Sequence, residues 1–347
     1  IPLMLGNICQ QLYTMVDTMV VGQVAGVEAL AALGAVDFLM WVVTGISTGL
    51  TQGFSIQLSQ YYGAKDFENL RKSLAHSYRL TAFIAAGVLI LSQSFASLVL
   101  TGLHTPSNII GMSLLYLRII FCGIPATAAY NMFASALRAM GNSKTPLTAM
   151  IIASVLNVSL DILFVAGFGW GVAGAAIATV IAQSFSAVYC FLILRRIDIV
   201  HLTRADFMPA SGMNARLMKL GIPVVFQNII IGVGGLVVQY VINGYGFLFV
   251  AGFTATNKLY GLLEMAAISY GYAIVTYVGQ NLGAGKIDRI RKGVRSSMLL
   301  SLLTSLIISA AMFLFGKNIL SLFISGEPQQ TQEVLAIAFK YLSIMAA

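Results

Sequence analysis

Asp17 and Asp161 each interrupt a long apolar run, where an ionised side chain costs several kcal/mol. Asp17 is followed by Thr18-Met19-Val20-Val21 before Gly22, and Asp161 lies six residues before Gly167. Both runs are expected to be helices heading the same way across a membrane, so the two carboxylates come to one depth. Asn157 is one turn from Asp161 and Gln10 two turns from Asp17, each on its acid's own face. Two carboxylates among amides in a low-dielectric setting cannot both ionise cheaply, which suits the pair to take up a proton. The alternative is a structural pair of acids satisfied by backbone and by Arg118. Glu264 and Lys258 also fall at membrane depth, six residues apart and so not on one helix face. Glu264 is a second candidate acid for ion coupling or for contact with a cation; its alternative is a structural ion pair. Asp37 is expected near the outer end of its helix, in water. Pro2, Pro125 and Pro223 fall inside spans, where each removes a backbone hydrogen bond and permits a kink.

The elements that must carry these residues follow from composition. Of 347 residues 58% are apolar and only 9% charged, and the mean hydropathy is +0.87. A soluble domain carries about a quarter charged residues, so a soluble globular chain is excluded. Long unbroken runs, rather than short alternating segments, exclude a membrane β-barrel. The expected fold is an all-α polytopic membrane protein. At about 20 residues per crossing, candidate spans run over 1–21, 35–62, 74–100, 109–138, 146–167, 171–194, 216–243, 250–280 and 294–324, with a tenth beginning near Gln332.

Basic residues cluster in alternate connections: Lys65, Arg71 and Lys72; Arg138 and Lys144; Arg195 to Lys219; Lys286 to Arg295. Lys317 is the exception. This asymmetry places the even-numbered loops, and the start of the first helix, on the cytoplasmic side. It also accounts for the net charge of +8 without a nucleic-acid partner. The segment 201–215 reads as a cytoplasmic linker between an N-terminal lobe, 1–200, and an incomplete C-terminal lobe, 216–347. The halves repeat: Gln60, Gly63, Ala64, Arg71 and Lys72 recur as Gln280, Gly283, Ala284, Arg291 and Lys292, all at an offset of 220 residues. An even number of helices per half keeps the orientation, so the repeat axis is expected along the membrane normal. Six helices per half imply twelve in all, about nine to ten of them in this chain, which reads as a fragment of a longer protein.

No phosphate-binding glycine loop, nucleophile elbow or metalloprotease motif is present. Cys9, Cys122 and Cys190 have no metal-ligand spacing, and His76, His104 and His201 lie far apart. Neither an enzyme nor a metal-dependent protein is expected, and no cofactor is implied. A scaffold without transport activity is disfavoured by the buried acids.

Taken in order along the chain, several segments resemble the multidrug and toxic compound extrusion (MATE) family. They are Gln10-Gln11-Leu12-Tyr13-Thr14-Met15-Val16-Asp17-Thr18; the paired Gln-x-x-Gly-Ala loops; Gly123-Ile124-Pro125; Leu137-Arg138-Ala139-Met140-Gly141-Asn142-Ser143-Lys144-Thr145-Pro146; Asn157 to Asp161; Gly169-Trp170-Gly171; and Leu220-Gly221-Ile222-Pro223. The resemblance implies two six-helix lobes in a V with alternating access between them. It implies export of small organic, cationic amphiphilic compounds from a prokaryotic plasma (inner) membrane, driven by inward H⁺ or Na⁺, with no obligate protein partner. Residue by residue it implies an N-lobe pocket of Gln10, Asp17, Tyr116, Asn131, Asn157, Asp161 and Thr179, with Pro2 as the kink of the first helix and Na⁺ near Asp17 as one option. Some branches carry a Na⁺-binding acid in the seventh helix; here that stretch reads Phe226-Gln227-Asn228-Ile229, with no acid. This departure points to the DinF-type branch and to N-lobe coupling. The alternative within the same superfamily is a lipid-linked saccharide flippase, which should line its cleft with several basic residues to hold a pyrophosphate. Here only Arg118 and Lys258 lie at that depth.

Overall fold

The structure, a computed structural model, describes residues 2–102, 105, 107–243, 256, 261, 268–321, 335–336 and 338–344. These form helices and turns with no strand among the described residues. The helices are α1 (Pro2–Val24), α2 (Val27–Gly34), α3 (Asp37–Ala64), α4 (Phe67–Gly102), α5 (Ile110–Cys122), α6 (Ile124–Ala139), α7 (Lys144–Asp161), α8 (Gly171–Arg195) and α9 (Met213–Asn243). A helical stretch over 268–283, here α10, precedes α11 (Ile287–Ser321). The protein is thus an all-α polytopic membrane protein.

Among the described residues, five helical segments are long and apolar enough to cross a bilayer, and the bent pair α5–α6 makes a sixth. The expected single helix over 109–138 is in fact broken at Gly123, where the two segments bend by 46°. Pro125 sits in the first turn of α6, immediately past the break. A side chain at Gly123 would strike Val180 of α8, so glycine lets the bend pack closely. Helices α1 and α3, at 23 and 28 residues, are long enough to span at about 1.5 Å per residue. They are less apolar than the other spans because their faces carry amides, hydroxyls and Asp17. The short helix α2 was not anticipated. The linker is structured too, with 3-10 turns at Asp198–Val200 and Arg204–Phe207.

The chain divides into two compact units, Ile1–Gly232 with Thr276–Ile287, and Val233–Val275 with Asp288–Ala347. In the first unit α1 packs on α7, α7 on α8, α6 on α3, α4 and α8, and α5 on α8. Their apolar contacts fall into two clusters. One gathers Leu58, Leu70, Leu137, Met150 and Leu194, toward the basic ends of the helices. The other gathers Val21, Ala29, Val165, Val172 and Ala176, at the opposite ends. Large apolar side chains such as Phe83 and Leu98 on α4 face outward, as lipid contact requires.

The glycines of the repeated loops explain one close crossing. A methyl group added at Gly63 would run into the carbonyl oxygen of Gln280, and one at Gly283 into that of Gln60. The repeat partners therefore meet reciprocally at the ends of α3 and α10. Gln280 adds a hydrogen bond, its Nε2 donating to the Ala139 carbonyl at the end of α6 (2.7 Å). In the second unit the Tyr270 and Thr304 hydroxyls lie 2.9 Å apart, joining α10 to α11.

Candidate functional site

Between the two apolar clusters of the first unit lies a polar layer. On α1 it falls between Tyr13 and Val21, on α7 between Met150 and Val165, and on α8 between Ala176 and Ala187. Asp17, Asn157 and Asp161 occupy this layer, at 4%, 0% and 0% exposure. Because α1 and α7 pack together, the two acids come within electrostatic reach of each other. Asp161 is the last residue of α7 before the backbone widens into a π-helical turn over Ile162–Gly167. Such turns loosen the backbone and recur at functional sites.

Hydrogen bonds tie the layer to its neighbours. Asn157 Nδ2 donates to Thr179 Oγ1 (3.4 Å) on α8, and Asn131 Nδ2 donates to Thr48 Oγ1 (3.3 Å), joining α6 to α3. Tyr116 on α5 is buried and senses the charges of Asp17 and Asp161. Asp17 Oδ1, Asn157 Oδ1 and both Asp161 carboxylate oxygens are buried with no hydrogen-bond partner from the protein. In a low-dielectric interior such acceptors call for a proton, a cation or water. Arg118 does not supply the counter-charge: it is exposed, and its backbone carbonyl accepts from Gln93 (2.8 Å). The alternative of acids satisfied by Arg118 is therefore discarded.

The other candidates are placed less centrally. Gln10 is exposed, though its side chain reaches the Tyr13 hydroxyl. Pro2 opens α1 and Pro223 lies within the unbroken α9. Glu264 and Lys258 lie outside the described residues. No group of three or more metal-ligating side chains occurs among the described residues. The Tyr13–Gln183 pair was missed. Gln183 Nε2 donates to the Tyr13 hydroxyl (3.1 Å) across α8 and α1, with both side chains buried. The signal was available: Tyr13 is one turn before Asp17 and Gln183 one turn after Thr179, on the same faces. Asp37, exposed in the first turn of α3, is close enough for its charge to act on Asp17.

The MatE family model matches residues 2–163 and 223–347. The chain belongs to this family. Among its relatives, the "Probable multidrug resistance protein YpnP" of Bacillus subtilis is 31% identical over 99% of this chain and 76% of its own length. The "Probable multidrug resistance protein YoeA" of the same organism is 28% identical over 99% of this chain and 75% of its length. Among solved structures, a MOP superfamily transporter from Pyrococcus furiosus superposes with a TM-score of 0.92 at 22% identity, covering 99% of this chain and 76% of that one. That likeness establishes the fold. MatE proteins are membrane transporters, and the chain is an integral membrane protein of that family.

Proposed function

We propose that the protein is a secondary-active multidrug exporter that moves organic, cationic compounds outward in exchange for H⁺ or Na⁺. The observation that carries this is the Asp17–Asp161 pair, buried on facing helices with acceptor oxygens that no protein group satisfies. A carboxylate that is open to a proton in one conformation and to a cation in another couples their opposite movements, provided each ligand favours a different state. The relatives' names as multidrug resistance proteins support the substrate class.

In this mechanism two six-helix lobes, 1–200 and 216 onward, alternate access to the site, with 201–215 as their cytoplasmic linker. Protonation of Asp17 from outside weakens its hold on the cation and favours a bend in α1 near Pro2. Deprotonation inside restores the anionic site. Asn157, Asn131, Thr179, Tyr116 and Gln10 shape the polar surroundings, and Glu264 is a secondary acid. The acidic layer favours a cation over the pyrophosphate of a lipid-linked saccharide. The basic ends of the helices face the cytoplasm of a prokaryotic plasma membrane.

The test is efflux of a fluorescent organic cation from efflux-deficient cells, with the pH and Na⁺ gradients collapsed separately. Asp17→Asn should abolish export, and Asp161→Asn should lower it at least about tenfold, the equivalent of about 1.4 kcal/mol of coupling. Undiminished, gradient-dependent export by Asp17→Asn would refute the assignment.

A further inference from the structure

The unsatisfied buried oxygens do not stop at the acid pair. Among the described residues, Gln183 Oε1 and Ser186 Oγ on α8, Ser73, Ser77 and Thr81 Oγ on α4, and Gln57 Oε1 on α3 also lack a hydrogen-bond partner from the protein. All are buried: Ser73, Ser77 and Ser186 at 0%, Gln57 at 3% and Gln183 at 9% exposure. A buried hydroxyl or amide oxygen without a partner costs free energy, and in native interiors such groups mark ordered water.

Their positions are regular. On α8, Thr179, Gln183, Ser186 and Cys190 follow at intervals of four, three and four residues, which is one face of a helix. That face starts at Asn157, through the bond to Thr179, and descends past Tyr13, through Gln183. Helix α6 packs beside it and continues the line. Buried Tyr130 lies in one packed cluster with Tyr13 and Cys190. Arg138, in the last turn of α6, donates from Nη2 to Ser135 Oγ (3.1 Å) at the basic end of the bundle. On α4, which also packs on α6, Ser73, Ser77 and Thr81 form a second face at intervals of four.

We propose that this seam, from Asp17 and Asp161 along α8 and α6 to Arg138, holds water and carries the coupling proton between the acid pair and the basic end of the bundle. The inference rests on the exporter reading with H⁺ as the coupling ion. The step is a relay: an aspartic acid O–H bond breaks as a water molecule takes the proton. Successive hydroxyls and waters then each accept one proton and release another, with no change of redox state. The charged and titratable groups along the seam are Asp17 and Tyr13 on α1, Tyr116 on α5, Tyr130 and Arg138 on α6, Asp161 on α7 and Cys190 on α8; from α4, Tyr78 packs on Phe133 of α6 while His76 is turned to Met208 and Asn214, and Asp37 on α3 is exposed. Arg138, as a fixed cation at the mouth, opposes uncoupled leak, so the relay conducts only when the acid pair releases a proton.

Two measurements on the purified, reconstituted protein test this. The first is hydroxyl-radical footprinting, which labels side chains next to bound water. Tyr130 and Cys190 should be labelled although 7% and 0% exposed, while Met132, at 1% and also readily oxidised, should not. Protection of Tyr130 and Cys190 overturns the proposal whether or not the protein transports. The second is export of a fluorescent cation from liposomes with a pH-sensitive dye inside. Ser186→Ala with Cys190→Ala should slow coupled proton movement at least about fivefold while leaving the dissociation constant of the cation and the melting temperature near wild type. Ser186→Thr, which keeps a hydroxyl, should retain most of the rate. Wild-type rates in the stable double variant, or export by wild type driven by Na⁺ alone, overturn the relay. Failure of wild type to export any cation instead refutes the exporter reading, and the footprint still decides whether the seam is wet.

Discussion

At the scale of single residues, the acid pair depends on partners whose value lies in burial. Tyr13 accepts from Gln183 in the interior, so Tyr13→Phe strands the Gln183 amide. Leaving a buried donor unsatisfied costs about 1–3 kcal/mol, and the expected outcome is a lowered melting temperature in detergent with export impaired. Asp37 differs because it is exposed. Its charge reaches Asp17, but salt screens it within about a Debye length. Asp37→Asn should change export less than about threefold, and the change should shrink as ionic strength rises; a loss as deep as that of Asp17→Asn would place Asp37 in the site itself. The identities of Asp17, Asp161 and Asn157 as candidates were legible from the sequence, since polar groups in apolar runs announce themselves. Tyr13 and Gln183 lie on the faces of Asp17 and Thr179 in the sequence, but that they bond to each other is decided only when the two helices meet.

At the scale of elements, glycine spacing sets how closely helices cross. Gly53 of α3 faces Gly221 of α9, and Gly49 faces the Val225 backbone, where an added methyl would lie 2.9 Å from Val225 Cα. At the helix ends, Gly63 and Gly283 meet each other's repeat partner backbone. A side chain there cannot be absorbed by a rotamer change, so the crossing must open. Overpacking of this kind costs about 1–3 kcal/mol. Gly63→Ala and Gly283→Ala should each lower the melting temperature, and because both act on one crossing their effects should combine non-additively in a double-mutant cycle. Strict additivity would show that the two contacts are independent. The repeat at constant offset was visible in the sequence; that its two copies touch each other was not, since a sequence match carries no distance. The break at Gly123 likewise escaped notice, because the apolar run continues through it unchanged.

At the scale of the whole molecule, the connection between the halves is a docked strap. Asp206 closes a capping box with Thr203, accepting from its backbone N–H (2.7 Å) and its Oγ1 (2.8 Å). Arg71 Nε lies 3.7 Å from Asp206 Oδ1, and Arg79 Nη1 donates to the Phe207 carbonyl (2.8 Å). The ring nitrogens of His76 face Asn214 Oδ1 (2.7 Å) and the Met208 carbonyl (3.0 Å). Loss of such a cap costs about 0.5–2 kcal/mol. Asp206→Ala should therefore speed proteolytic cleavage within 201–212, measured on the purified protein, and leave the fold of the helices intact by circular dichroism.

Composition and the alternation of apolar runs with basic connections determined by themselves that the chain is a helical membrane protein, and the internal repeat led to the expectation of two related halves. These properties are sums and periods along the chain, and the bilayer enforces them locally: each span must satisfy its own backbone and present an apolar face to lipid. The tertiary structure alone decided which polar groups share one buried layer, that Arg118 is absent from it, and that unsatisfied oxygens continue from Asp161 along α8. The cost of a buried polar atom depends on what packs against it in three dimensions, and residues as far apart as Tyr13 and Gln183 acquire that environment only when their helices assemble.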